Sequence, residues 1–345
     1  MALTQVDQGL LSSTAQYTGF KNRIINGAMV IDQRNAGAAI STHGLFVIDR
    51  FATALTGGSA SGITVQQSTT VPLSSGFTNS IVYTVGTGGA VGASGSYGIQ
   101  QRIEGYNFSD MLCGTASAKQ FTLSFWVRSS LTGTFGVSFR NSAKDRTYIA
   151  SYTINSANTW EYKTITITGD TSGTWLTNNG IGLDLFFDLG AGTASSTTAN
   201  SWQAGNYIGL TGGVKLVETT GATFYITGVQ LEKGSTATSF DYRPHTTEFQ
   251  LCSRYFQIYG GQASAPNFQG YGSGDMNTVY PLPVEMRITP VGTTSGTWIK
   301  SNCGDPIFCH AGTTAITVRV VVTSLGKFEL YPSGTSGKIT LSSEL

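Results

Sequence analysis

The chain has 345 residues, a net charge of +1 and 11% charged side chains, against roughly 25% in an ordinary globular protein. So weak a charge excludes a field able to steer nucleic acid or an anionic membrane surface, and sparse Lys and Glu argue against long surface helices. The 44 glycines, with abundant Ser and Thr, suit the turns of an all-β chain, and 40% apolar residues are enough to build cores.

The first predicted element is a short amphipathic helix over Leu3–Tyr17. Leu3, Val6, Leu10 and Tyr17 recur at helical spacing with Leu11 beside them. The stripe is too short for a coiled coil by itself. It reads either as a stub (1–20) that docks on a partner or bundles with its copies, or as a frayed terminus. The opening residues show neither a basic nor an apolar leader pattern, so no secretory signal is expected. No apolar run approaches the roughly 18 residues of a membrane span.

Period-2 alternation then dominates. Phe121, Leu123, Phe125 and Val127 share one face of a strand, and Thr122, Ser124, Trp126 and Arg128 share the other. Further strands are predicted at Phe135–Phe139, Tyr148–Ile154, Ile165–Ile167, Ile181–Phe187 and Phe224–Leu231. Turn signals separate them at 141–144, 156–158, 169–173 and 178–180. Many short antiparallel strands at this spacing predict a sandwich or jelly roll, with apolar faces inward and polar, Thr-rich faces outward. The Gly-rich stretch 86–98 lacks the Gly-Lys-Ser/Thr end of a phosphate loop and reads as a connecting loop.

Phe240-Asp-Tyr-Arg-Pro244 marks a boundary near 245. A jelly-roll domain over 21–245 would be followed by a smaller β domain over 246–345. Thr246–Tyr259 reads as strand or short helix, and Gly260–Gly274 as a loop. Strands are expected at Ile316–Val322, Lys327–Tyr331 and Lys338–Leu341. Thr-Ser-Gly-Thr-Trp occurs at 171–175 and 294–298, by a shared turn type or by chance.

No catalytic, cofactor or metal site is legible. His43, His245 and His310 are scattered, and adjacent Cys309-His310 is a poor chelator. Cys113, Cys252, Cys303 and Cys309 form no dense framework; reduced thiols are expected, with Cys303 and Cys309 close enough in sequence to bridge in an oxidising medium. Asp184 and Asp188 share a strand face but lie about 13 Å apart, too far for the roughly 5–9.5 Å of a glycosidase pair. A cross-strand pairing with Glu104, Asp145 or Glu161 stays open. Trp126 falls opposite Phe125 and Val127, on an outer face that meets a partner or in a sheet covered on both sides. Tyr259, Phe268, Tyr271, Tyr280 and Trp298 are candidate contacts to a receptor or glycan, since rings with polar edges suit saccharides.

The run Asn22-Arg-Ile-Ile-Asn-Gly-Ala-Met-Val-Ile-Asp-Gln-Arg-Asn35 resembles the start of a family of bacteriophage tail-fibre and related virion proteins. Asp49-Arg-Phe51, Phe125-Trp-Val-Arg128, Asn158-Thr-Trp-Glu161, Thr168–Trp175, Gly228-Val-Gln-Leu-Glu-Lys-Gly-Ser235, Phe240–Pro244 and Cys252-Ser-Arg-Tyr-Phe256 continue it in order. The resemblance spans about residues 3–256. It implies a jelly roll like carbohydrate-binding modules, placement on a phage particle made in the host cytoplasm, and a homotrimer. A second virion protein would hold residues 1–20, and a host-surface polysaccharide or protein would be the receptor. Tail fibre, baseplate appendage and head fibre all fit it, and it supplies no catalytic residue. Three roles compete: a host-attachment fibre, a purely structural baseplate or capsid decoration protein, and a polysaccharide depolymerase. No nucleic acid, membrane insertion or cofactor is expected.

Overall fold

Where apolar and polar residues alternate, the chain forms strands whose apolar faces meet. The computed structural model describes residues 20–260, 267–333 and 337–345; the expected helix over Leu3–Tyr17, with Leu3, Val6, Leu10, Leu11 and Tyr17, lies outside them. The chain divides into two compact units, one ending at His245 and joined by Leu345, the other Thr246–Glu344.

The first unit is a jelly-roll β-sandwich. In chain order it contains β1 (Phe46–Ile48), β2 (Phe51–Gly58), β3 (Thr64–Ser68), β4 (Ser80–Thr84), β5 (Val91–Glu104), β6 (Phe121–Ser129) and β7 (Gly133–Arg140). Then come β8 (Arg146–Ile154), β9 (Glu161–Ile167), β10 (Ile181–Ala191), β11 (Ser196–Thr197), β12 (Trp202–Ala204), β13 (Gly209–Leu210) and β14 (Thr223–Lys233). A seven-stranded sheet runs β1-β2-β5-β10-β7-β8-β12 and a five-stranded sheet β3-β4-β14-β6-β9. Successive strands switch repeatedly between the two sheets, as in a jelly roll.

The inward faces bury Phe121, Leu123, Phe125 and Val127 of β6 against Phe135, Val137 and Phe139 of β7 and Leu183, Leu185 and Phe187 of β10. Rings bridge the sheets: Phe125 lies 5.2 Å from Phe187 and Phe121 5.9 Å from Phe139. Such contacts add about 0.5–1.5 kcal/mol to the burial of area.

The outer face of the seven-stranded sheet departs from the expected polar, solvated surface. On β10, Asp184, Phe186 and Asp188 point outward by parity, yet all are buried. The segment after β10 folds back over them: Ile208 packs with Phe186, Ala54 and Ala191, and the Leu210 amide reaches Asp188. A second correction concerns 86–98, whose latter half belongs to β5. Its glycines let backbones approach: a Cβ on Gly95 would stand 2.7 Å from the Gly57 carbonyl oxygen.

The second unit holds α1 (His245–Ser253), β15 (Phe256–Gly260), β16 (Phe268–Pro281), β17 (Val291–Ser295), β18 (Trp298–Ser301), β19 (Ile307–Ala311), β20 (Ala315–Pro332) and β21 (Lys338–Ser342). One sheet runs β15-β21-β17, the other β16-β20-β18 with β19 also on β20. Thr246–Tyr259 thus supplies most of a helix and most of a strand. The strands expected at 316–322 and 327–331 are one 18-residue strand. The loop expected over Gly260–Gly274 is β16 from Phe268 onward, because β20 offers it a long antiparallel partner; 261–266 lie outside the described residues.

The repeated pentapeptide is a repeated turn. Gly173 and Gly296 sit at φ +78° and +77°, a region open to glycine at little cost. In each copy the indole folds back on the turn: Trp175 donates to the Ser172 carbonyl at 3.1 Å, Trp298 to the Ser295 carbonyl at 3.2 Å.

Candidate functional site

The residues that begin and end the first unit build a wall on the outer face of its five-stranded sheet. Beyond the bend at Gly228 (φ +61°), Gln230 and Glu232 carry their amide and carboxylate on that face. The backbone amides of Asp241 and Thr238 donate to them at 2.7 and 2.8 Å, and Thr238 Oγ1 donates to Glu232 at 2.7 Å. Residues 237–242 are thereby strapped along the sheet. From the other end, the Lys21 and Asn22 amides donate to Asp241, and Arg243 donates to the Asn22 and Ile24 carbonyls. Asn22 Oδ1 accepts from Leu231 at 3.0 Å, and its amide donates to the Val229 carbonyl at 3.1 Å.

Beside the strap lies an open groove of about 460 Å³. Its walls carry five rings: Phe77 from the loop before β4, Trp126 from β6, Tyr162 from β9, and Phe240 and Tyr242 from the strap. Trp126 and Tyr162 are direct cross-strand partners with centroids 5.4 Å apart. Phe77 meets Phe240 at 4.9 Å and Tyr242 at 5.4 Å. The Tyr242 hydroxyl donates to the Ser75 carbonyl at 2.6 Å, fixing the ring across the loop. Tyr162 is 44% exposed and Tyr242 53% exposed, so their faces are offered to solvent. Ser75, Ser124, Thr238 and Ser239 line the remainder, with Ala237 and Gly228 among them. No lining residue carries a formal charge. A ring-shaped solute with alternating C–H and O–H groups meets here both flat apolar faces and hydroxyl partners.

The carboxylates weighed for catalysis are otherwise engaged. Asp184 sits between Arg102 and Arg140 in register, pairs with Arg140 at 2.8 Å and accepts from Gln100 at 2.6 Å. Asp188 is sealed beneath the segment after β10. Burial pushes its carboxyl up to about 7, against the opposing pull of the Gly190, Leu210 and Ala191 amides and Lys215. Asp145 accepts from Asn141. Burial opposes ionisation of Glu161, but Lys163 and the Ser156 and Asn155 donors outweigh it and hold the carboxyl at about 2. Among the described residues no group of three or more His, Cys, Asp or Glu is placed to hold a metal. No disulfide joins Cys113, Cys252, Cys303 or Cys309 among the described residues, and burial pushes the Cys113 thiol up to about 12.

The receptor contacts expected from sequence fare unevenly. Phe268 and Trp298 are core residues of the second unit, 2% and 6% exposed, with rings 6.4 Å apart. They are corrected from contact to packing residues: β16 and β18 both pair with β20 and turn these rings into the sheet's buried face. Tyr280 packs on Phe268 at 5.4 Å and is half-buried. Tyr259 is half-buried too, its hydroxyl on Gln257 and pushed up to about 12 by burial. Tyr271 alone of the five stands well out, 72% exposed. The groove itself was missed by sequence reasoning; outward parity at Trp126 was its one visible signal.

No protein-family model matches the chain, and no curated protein matches it. Solved structures similar to it include the enzymatically active domain of tailspike protein 4 of bacteriophage CBA120, at 15% identity and TM-score 0.33 over 62% of this chain and 21% of that one. The chain thus spans about a fifth of that tailspike. A putative sugar-binding protein from Bacteroides thetaiotaomicron matches at 12% identity and TM-score 0.33, over 62% of this chain and 100% of its own. The CBM22-1 xylan-binding domain of Paenibacillus barcinonensis Xyn10C matches at 10% identity and TM-score 0.28, over 59% of this chain and 99% of its own.

Proposed function

We propose that this chain is an attachment protein of the phage tail-fibre type that holds a host-surface glycan in the groove beside Trp126. The uncharged, five-ring groove with hydroxyl-bearing walls carries the reading. Rings presented with their faces to solvent contribute binding energy to a sugar without needing a charge on it. The resemblance to phage fibre proteins supports the biological setting. Its motifs beginning at Asn22, Gly228 and Phe240 come together structurally as the strap that walls the groove. In this reading the protein binds and does not cleave; copies of the chain associate, as a trimer, and residues 1–20 engage a second virion protein.

The test is adsorption. Purified protein should bind cells of a susceptible host and block particle attachment, and W126A with Y162A should lose both effects while retaining the wild-type β signature. Full binding and blocking by the double variant would remove the groove from the function. Failure of the wild-type chain to bind any susceptible host would remove the attachment role itself.

A further inference from the structure

One strand repeat beyond the groove, the same outer face holds a cation that no carboxylate pairs among the described residues. Arg128 follows Trp126 by two residues on β6, which places it about 7 Å along the same face. Its direct partner on β14 is Tyr225. The guanidinium lies over that ring, 5.1 Å from its centroid. Trp160, just before β9, packs edge-on against Tyr225 at 6.1 Å.

Other arginines of the chain reach carboxylates, including Arg140 on Asp184, Arg146 on Asp170 and Arg23 on Asp110. Arg128 makes neither an ion pair nor a hydrogen bond among the described residues, and its Nε is buried without a partner. The Trp160 Nε1 is a second buried donor without an acceptor. Half-burying the Arg128 guanidinium against a ring is offset only in part by the cation–π contact. The terminal guanidinium nitrogens, unpaired among the described residues and not shielded as Nε is, are therefore the donors open to a ligand beside an uncharged groove.

Building on the glycan-binding reading above, we infer that the ligand is an acidic saccharide. A sugar ring occupies the groove on Trp126 and Tyr162, and the anionic group of the same chain pairs with the terminal nitrogens of Arg128. A planar guanidinium suits a carboxylate or a phosphate, both of which accept paired N–H bonds. The anionic group is what this subsite recognises; either a uronic acid or a phosphate substituent supplies it.

The experiment uses the full chain and a panel of acidic bacterial polysaccharides. Each uronate polymer is paired with its carboxyl-reduced form and each phosphate-bearing polymer with its dephosphorylated form, and binding is read by affinity electrophoresis. The acidic member of at least one pair should bind roughly ten-fold tighter than its neutral form, the scale of one charge-assisted contact. R128Q should erase that difference, R128K should keep part of it, and W126A should weaken both members. Among the described residues Arg128 makes no hydrogen bond that the substitution would remove, and circular dichroism of R128Q checks that it folds. Whether the favoured pair is uronate or phosphate identifies the source of the anion. Equal binding of both members, unchanged in R128Q, overturns the acidic specificity and leaves glycan binding standing. Loss of the preference in W126A alone, with R128Q unaffected, also overturns the role of Arg128. No binding to any polymer overturns this inference together with the reading on which it rests.

Discussion

Replacing Asp188 by Asn should change how the stability of the sandwich depends on pH. Asp188 is 4% exposed, and burial raises its carboxyl to about 7 in the folded chain, against about 3.9 when unfolded. Between those values the native state holds a proton that the unfolded state has released. Stability therefore falls as pH rises through this window, is highest below about 4 on account of this group, and reaches its full penalty above about 7. A displacement of roughly three pH units corresponds to about 4 kcal/mol. The Gly190 and Leu210 amides, at 2.9 and 3.2 Å, already favour the ionised form within that balance. Asn cannot ionise, so other titrating groups cancel when wild type and D188N are compared. Urea titrations followed by Trp fluorescence, at pH 4.5, 6 and 8, give the two stabilities. Wild type should lose stability relative to D188N by about 2–4 kcal/mol over this range. A constant difference across it would mean that Asp188 ionises as freely in the fold as in the coil, and the burial argument would fail.

Other perturbations follow from the packing and the hydrogen bonds. Phe125→Ala empties the contact between the sheets and should cost about 3–5 kcal/mol in urea unfolding; a loss below 1 kcal/mol would show that the core collapses onto the gap. Asn26 is fully buried at φ +61°, bonds the Ile31 amide and donates to the Ile31 and Asp49 carbonyls. Asn26→Ala should therefore destabilise the first unit by about 3 kcal/mol or more, measured in the same way. Gly228→Ala would set a Cβ 2.5 Å from the Phe77 ring at a left-handed backbone position. Glycan binding should fall before overall β content changes, and unaltered binding would show that Phe77 does not shape the groove. In the second unit, Trp298→Ala should lower the thermal midpoint by several degrees, whereas Tyr271→Ala should be neutral within about 0.5 kcal/mol.

The sandwich was legible because its code is local. Phe121, Leu123, Phe125 and Val127 declare a buried face through period 2 alone, and the facing strands do likewise. Outward positions carry no such code. Asp184 and Asp188 read as solvated carboxylates because nothing in β10 announces that Ile208 and Leu210 return to cover it. The groove draws Phe77, Trp126, Tyr162 and Tyr242 from separate stretches, joined by hydrogen bonds between side chains and backbone that leave no periodic trace. Trp126 was visible by parity, but its companions were not. In the second unit, Phe268 and Trp298 sit among Gly, Ser and Thr, a context typical of surface loops. Their burial follows from the length of β20, which pairs with both strands and makes one sheet of them.

The stitching of residues 21–24 to Asp241 and Arg243 also has a mechanical consequence. A pull applied at residue 20 and at the exit near 245 is carried first through these few bonds, across a short span between neighbouring chain ends. The strands of the sandwich lie off that line of load and need not bear it. Such a pull would strain the clasp first, while the groove beside it keeps its shape for as long as the clasp holds.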